Sequence, residues 1–270
     1  VAAGVAAGIK ASGAPDLALV VNVGPERTAA AVYTSNRFQA APVLWSKKVT
    51  AGGMLDAVVL NSGGANACTG PDGYADTERT AELVASVAGT RAGRVAVCST
   101  GLIGVRLPMD QVTSGIAMAH GALAADGGPD AARAIMTTDT VPKLAQASVP
   151  AGWTVGGMAK GAGMLAPALA TMLVVVTTDA IVDAPTADRA LRAATALTFD
   201  RTDSDGCMST NDTVILMASG ASGVEADEAE LTQALTQVCG SLARQLLADA
   251  EGASHDIAVT VENAASEDDA

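Results

Sequence analysis

Short β-branched apolar runs alternate with helical patterns along the chain, and this alternation most strongly limits the folds open to it. Runs such as LALVVNVG, DAVVLNSGGANAC, GRVAVCSTGLIG and TMLVVV are bounded by turn residues and predict strands. Residues 75–89 and 108–125 carry apolar residues at helical spacing, as does ELTQALTQVCGSLARQLLADAEG. This order favours helices layered on extended sheets over a doubly wound Rossmann arrangement.

The composition suits such layers. Of the 270 residues, 49% are hydrophobic but only 2% are aromatic, so the core must pack through small aliphatic side chains. The length fits one large domain or two modest ones. Near the carboxyl end, HDIAVTVENA (255–264) alternates apolar and polar residues and predicts a last strand.

Charge and cysteine content disfavour several kinds of partner. A net charge of -13, with 16 Lys and Arg spread along the chain, argues against nucleic acid. The four cysteines lie far apart without metal-ligand spacing, which predicts reduced cytosolic thiols and no metal site. No apolar run approaches the about 20 residues of a membrane span, and no signal peptide is evident, so a cytoplasmic location is expected.

Common catalytic motifs do not occur in the sequence. His120 and His255 both lie outside any serine-hydrolase context. The sequence has no Walker loop, no GxGxxG after a strand, no HExxH and no EF-hand loop. Chemistry driven by a bound phosphate or a metal ion is therefore disfavoured.

The stretch GMAKGAGMLAPALATMLVVV (157–176) joins a loop of small residues to a buried strand that opens on Thr171. A threonine hydroxyl is a weak nucleophile without a base, and the threonine's own α-amino group can be that base. Breaking the Ala170–Thr171 peptide bond would free such an amine, which titrates near pH ~8. Self-cleavage before Thr171 is one hypothesis; a plain glycine loop entering a strand is the alternative.

Blocks spread over residues 1–270 resemble, in order, those of the ornithine acetyltransferase family, also called bifunctional glutamate/ornithine N-acetyltransferase. They are GVAAGIKASGAPDLALV, NSGGANACTG, CSTGLIG, IMTTDTVPK, KGAGMLAPALATMLVVVTTDA, DSDGCMSTNDT and ADAEG. The resemblance implies an α/β fold, an αββα-type sandwich shared with self-cleaving aminopeptidases. It also implies an α-chain region (1–170) and a β-chain region (171–270) that assemble as a heterotetramer.

The resemblance further implies roles for individual residues. Thr171 matches the nucleophile released by cleavage after Ala170. Thr100 and Gly101, in CSTGLIG, match the pair that stabilises the oxyanion. The substrate-binding positions that it implies are Thr137, Lys160, Thr171 and Glu251.

The implied reaction is a ping-pong transfer in arginine biosynthesis, in which Thr171 takes the acetyl group from N-acetylornithine and glutamate accepts it. No cofactor is implied, although some members of the family also accept acetyl-CoA. An N-terminal-nucleophile aminopeptidase or amidase, which passes the acyl group to water, stays open as an alternative. The family extends beyond Ala270 with a segment that completes the substrate pocket, so a catalytically silent fragment is the other alternative.

Overall fold

The computed structural model describes residues 1–164, 172–266 and 269. Its strands are β1 (Ala2–Val5), β2 (Leu17–Val21), β3 (Thr28–Tyr33), β4 (Ala57–Gly64), β5 (Val95–Leu102), β6 (Lys143–Val149), β7 (Trp153–Lys160), β8 (Leu173–Thr178) and β9 (Thr213–Ala218). Its helices are α1 (Ala41–Thr50), α2 (Gly70–Ala88), α3 (Met109–Gly121), α4 (Gly128–Ala134), α5 (Ala184–Ala196) and α6 (Glu228–Ala248). The predicted strands and helices named above are confirmed, apart from the one over 255–264.

The strands form two sheets of mixed direction. The first has the order β1-β2-β4-β5 and the second the order β3-β9-β8-β7-β6. Strand β4 is parallel to β5, and β8 is parallel to β9; the other pairs are antiparallel. This pairing differs from a doubly wound parallel sheet, as the order of elements predicts.

Strand β8 shows how the layers are built. Leu173 and Val175 belong to a core shared with the first sheet, whereas Val174 and Val176 pack in a second core with α5 and α6. Because side chains alternate between the two faces of a strand, a strand that is apolar at every position must be covered on both. Helices α2, α3 and α4 add buried residues to the first core. The predicted αββα sandwich is therefore confirmed.

Helix α1, for which the sequence pattern predicts no element, is hydrogen-bonded to strand β5. Its Trp45 side chain donates to the Val95 carbonyl at 3.0 Å, and the Ser46 hydroxyl donates to the Val97 carbonyl at 2.8 Å. These polar contacts replace part of the apolar stripe by which a helix is usually recognised in sequence. They fix β5 against α1.

The strand predicted over 255–264 is wrong. This segment has no strand, and Ile257, Val259 and Val261 are 86%, 82% and 54% exposed. The alternation of apolar and polar residues is present, but a strand also needs a neighbouring strand for its backbone hydrogen bonds, and none lies beside it in the described ranges. No helix among the described residues is both long and apolar enough to cross a bilayer.

Candidate active site

Thr100 and Lys160 meet where strands of the two sheets end. Thr100 lies near the end of β5, and Lys160 is the last residue of β7. Lys160 Nζ is 3.3 Å from Thr100 Oγ1, although 60 positions separate the residues in the chain. Both are buried, with exposed fractions of 3% for Thr100 and 2% for Lys160. Two residues to which the resemblance gives separate roles are therefore in direct contact.

Gly101 follows Thr100 at an irregularity in the pairing of β4 with β5. Its φ is +128°, and a β-carbon there would lie 2.5 Å from the carbonyl carbon of Gly63 and 2.6 Å from the nitrogen of Gly64. Only glycine fits this backbone. Unlike Thr100, Gly101 is exposed. The backbone of β5 at Gly101 is therefore accessible beside the buried Thr100.

One buried carboxylate organises the surroundings of Lys160. Asp139 Oδ1 accepts hydrogen bonds from the Gly161 N–H at 2.6 Å and from Lys143 Nζ at 2.7 Å. Its Oδ2 accepts the Thr137 N–H at 2.9 Å and lies 4.0 Å from Lys160 Nζ. Burial by itself would raise the pKa of Asp139, but the two lysines and the two N–H groups hold it below its usual value. Ionised Asp139 thus ties Thr137 to the loop that follows Lys160.

Lys143 extends this network to the end of α6. The side chain is fully buried, and its Nζ lies 2.6 Å from Asp249 Oδ2. Asp249 also accepts the Thr140 N–H at 2.9 Å and the Thr140 hydroxyl. Burial would raise the pKa of Asp249, yet the hydrogen bonds from Lys143 and Thr140 bring it below its usual value. The end of α6, where Glu251 follows, is therefore fixed to the loop before β6.

Glu251 lies beside the glycine-rich loop. Its backbone N–H donates to the Ala162 carbonyl at 2.5 Å. A β-carbon placed on Gly163 would lie 3.5 Å from the Glu251 carboxyl group, at ordinary van der Waals distance, so this glycine lies directly beside the carboxylate. Glu251 itself is exposed. The three predicted substrate residues that the structure describes, Thr137, Lys160 and Glu251, are therefore all connected to one loop.

The predicted cleavage site, Ala170 and Thr171, lies outside the described residues. The chain is described again from Met172, whose N–H donates to Asp212 Oδ1 at 3.0 Å just before β9. Asp212 is buried, and its Oδ2 has no partner in hydrogen-bonding geometry among the described residues. Burial raises the pKa of Asp212 to about 8, against smaller opposing effects of the Met172 N–H and the nearby Ser209 hydroxyl.

Comparison with known proteins decides the family, because the sequence matches the ArgJ family over residues 1–270. The chain belongs to the ArgJ family. The arginine biosynthesis bifunctional protein ArgJ of Streptomyces coelicolor is 64% identical over 269 residues, which are 100% of this chain and 70% of that protein. That of Mycobacterium leprae is 60% identical over 276 residues, covering 100% of this chain and 68% of that protein.

Solved structures agree with membership of the ArgJ family. The ornithine acetyltransferase of Mycobacterium tuberculosis, solved in complex with ornithine, has 57% identity and a TM-score of 0.60 over 64% of this chain and 91% of that chain. The L-aminopeptidase D-Ala-esterase/amidase of Ochrobactrum anthropi has 15% identity and a TM-score of 0.51 over 88% of this chain and 79% of that chain. The second likeness concerns the fold alone.

Asp139, Lys143 and Asp249 belong to this candidate site, but the sequence predicts no role for them. Asp139 and Lys143 stand four positions apart in TTDTVPK, a spacing that suggests a surface pair at most. No pattern indicates that Lys143 is completely buried or that its partner Asp249 lies 106 positions away. In the ranges that the structure describes, no three His, Cys, Asp or Glu side chains form a group that could hold a metal ion.

We expect wild type to lose stability as the pH rises because of Asp212, and the Asp212→Asn variant to lack this loss. The pKa of Asp212 is about 8 in the folded chain against an ordinary 3.8, so the folded chain keeps a proton that the unfolded chain releases between these values. Within that window, rising pH lowers the free energy of unfolding by up to about 1.4 kcal/mol per pH unit. Urea denaturation at a series of pH values should therefore show that the free energy of unfolding of the Asp212→Asn variant rises relative to that of wild type up to about pH 8. Parallel pH profiles would contradict this expectation.

Proposed function

We propose that this chain is an acetyltransferase that moves the acetyl group of N-acetylornithine to glutamate through an acetyl ester on Thr171. The observation that carries the proposal is the meeting of Thr100 and Lys160 at two strand ends, beside the loop that leads toward Thr171. Support comes from the 57% identical ornithine acetyltransferase of Mycobacterium tuberculosis, whose structure holds ornithine. No step of the proposed reaction calls for a cofactor.

The proposed reaction begins with a cut in the chain. The Thr171 hydroxyl attacks the Ala170 carbonyl carbon, the C–N bond breaks as the acyl group passes to Oγ, and water hydrolyses the resulting ester. The cut leaves Thr171 with a free α-amino group, an internal base that titrates near pH ~8. The match to the ornithine acetyltransferase of Mycobacterium tuberculosis supports such a cut. The match covers 91% of the solved chain but only 64% of this one, so the solved chain is the shorter of the two.

Transfer then takes two half-reactions. The α-amino group accepts the Oγ proton, Oγ attacks the acetyl carbonyl carbon, and ornithine leaves with the proton as its C–N bond breaks. The amino group of glutamate then attacks the ester, and the proton returns to Oγ. Each attack places negative charge on the carbonyl oxygen, to which the Thr100 hydroxyl and the Gly101 N–H donate. The exposed Glu251 carboxylate suits an amino group of either substrate.

The test of this function compares transfer with hydrolysis. Purified protein is incubated with N-acetylornithine, with and without glutamate, and the products are identified by mass spectrometry. We expect N-acetylglutamate and ornithine in equal amounts, and parallel double-reciprocal plots when both substrates are varied. Acetate released at the same rate with or without glutamate would indicate an amidase of the aminopeptidase group instead.

Thr100→Ala should lower kcat of the transfer by about 100-fold or more with little change in KM. The hydroxyl donates to an oxygen that carries charge in the transition state, so its removal affects the chemical step and not ground-state binding. Steady-state kinetics of the cleaved enzyme provide the measurement, with Thr113→Ala on the exposed side of α3 as the control. An unchanged kcat with a raised KM would make Thr100 a binding residue.

A further inference from the structure

The proposed cut before Thr171 needs a base that the α-amino group cannot yet provide. Until the cut, the nitrogen of Thr171 belongs to a peptide bond, and a peptide N–H donates but does not accept protons. The Thr171 hydroxyl must still lose its proton as it attacks, and the peptide nitrogen must gain one as its C–N bond breaks. A group that can take a proton and give it back is therefore required beside this residue.

The carboxyl group of Asp212 lies one residue away from the predicted cut. Its Oδ1 accepts the N–H of Met172 at 3.0 Å. Consecutive backbone nitrogens lie at most about 3.7 Å apart in any conformation, because the bonds and the angle between them are fixed. Asp212 is therefore beside the residue that carries both the attacking hydroxyl and the leaving nitrogen.

Backbone contacts hold Asp212 in this place. Its carbonyl accepts the N–H of Thr34 at 3.0 Å, and the N–H of the next residue, Thr213, donates to the Met172 carbonyl at 3.1 Å. Strands β8 and β9 then pair in parallel, starting with Leu173 opposite Thr213. The position of Asp212 relative to the start of β8 is thus fixed by the sheet.

The second carboxyl oxygen of Asp212 is free to exchange a proton. Asp212 is fully buried, and its Oδ2 has no hydrogen-bond partner among the described residues. A buried polar atom without a partner is costly, and a catalytic role is one reason for which a protein keeps such an atom. Burial raises the pKa of Asp212 to about 8, and a pKa near neutrality suits a group that must both accept and donate a proton.

We propose that Asp212 is the general base of self-cleavage. Its Oδ2 takes the proton of Thr171 Oγ as Oγ attacks the Ala170 carbonyl carbon, and it passes this proton to the Thr171 nitrogen as the C–N bond breaks. The carboxylate is thereby regenerated, and the acyl group is left on Oγ for hydrolysis by water. The inference rests on the proposed function, in which Thr171 is the nucleophile, and it assigns the base for the one step at which the α-amino group does not exist.

Lys160 is the charged group that faces Asp212, from the end of β7. The other groups that face the carboxyl group are the Met172 N–H before β8, the Ser209 hydroxyl and, after β3, the Thr34 hydroxyl. Burial lowers the pKa of Lys160, so this residue also titrates below its usual range. A lysine accepts a proton only when it is neutral, and the experiment must therefore separate the titration of Asp212 from that of Lys160.

The dependence of the cut on pH tests the inference. Chains made by brief cell-free synthesis are transferred to buffers from about pH 6 to about pH 10, and the intact mass is followed over time. We expect the rate for wild type to rise about tenfold per pH unit and to level off above about pH 8, because only ionised Asp212 can accept the proton. Circular dichroism checks folding at each pH.

The Asp212→Asn variant separates the base from its structural contact. Its amide oxygen can still accept the Met172 N–H, but it cannot take a proton. We expect the cut to be at least about 100-fold slower than in wild type at pH 8, and not to rise with pH. The matched control is Asp179→Asn at the other end of β8, where the carboxylate also accepts a backbone N–H, that of Thr154 at 2.6 Å. This control should follow wild type at every pH.

The outcomes distinguish this inference from the function on which it rests. A wild-type rate in Asp212→Asn would overturn the inference, and so would a rise with pH that persists in this variant, because that rise would belong to Lys160. If Asp212→Asn does not fold, Asp212→Glu replaces it, and a midpoint of the pH profile that does not move with this change would overturn the inference. Failure of the proposed function looks different: wild type stays uncut at every pH, or Thr171→Ala is cut as wild type is.

Discussion

A Thr171→Ala variant is expected to remain one uncut chain and to lose acetyl transfer by on the order of ten-thousand-fold or more. In the proposed reaction, the change removes the hydroxyl that attacks in both steps, and the chain then never gains the α-amino group proposed as the base. The intact mass of the purified protein reports the cut, and formation of N-acetylglutamate reports the transfer.

Two variants serve as controls for Thr171→Ala. Thr171→Ser keeps a hydroxyl and should still be cut. Thr177→Ala changes an exposed threonine six positions further along, in β8, and should be cut as wild type is. Wild-type protein that stays uncut through a long incubation would show that Thr171 is not the nucleophile.

Lys143→Met is expected to lower the free energy of unfolding by about 3–5 kcal/mol. Lys143 is completely buried between Asp139 and Asp249, at 2.7 and 2.6 Å. Without the lysine, the buried carboxylates of Asp139 and Asp249 repel each other. At least one of them must then be protonated or hydrated. Denaturation by urea, followed by circular dichroism, measures the change.

The matched control for Lys143→Met is Arg79→Met in α2. Arg79 pairs with Glu82 at 3.3 Å, but the side chains are 61% and 56% exposed, so the loss should stay below about 1 kcal/mol. A Lys143→Met variant that loses no more than this control would mean that the buried network contributes little to stability.

The fold could be predicted where a sequence pattern reflects burial directly. The run LVVV in β8 is apolar at every position because cores cover both faces of the strand, and that predicts an internal strand. The same reasoning fails for 255–264, where alternation indicates a strand but cannot say which strand would pair with it. Helix α1 is missed because Trp45 and Ser46 bind β5 through polar groups.

The site could be predicted less fully than the fold. A glycine after Thr100 at a strand end suggests an open backbone, and Gly101 has the positive φ that such a position favours. The burial of Lys160 could not be predicted from the sequence pattern, because an isolated lysine is usually a surface charge and only packing shows that this one is enclosed. The link between Lys143 and Asp249 spans 106 positions and exists only in three dimensions.

The strand order β3-β9-β8-β7-β6 determines how the protein could refold after the proposed cut. A cut before Thr171 assigns β8 and β9 to one piece, flanked on one side by β3 and on the other by β7 from the other piece. Two ladders of backbone hydrogen bonds then hold the pieces together without a covalent link. Once denatured, however, the two pieces must find each other again, so recovery depends on protein concentration, whereas an uncut chain refolds at any dilution. If the proposed cut occurs, folding at low protein concentration is therefore efficient only in the uncut chain.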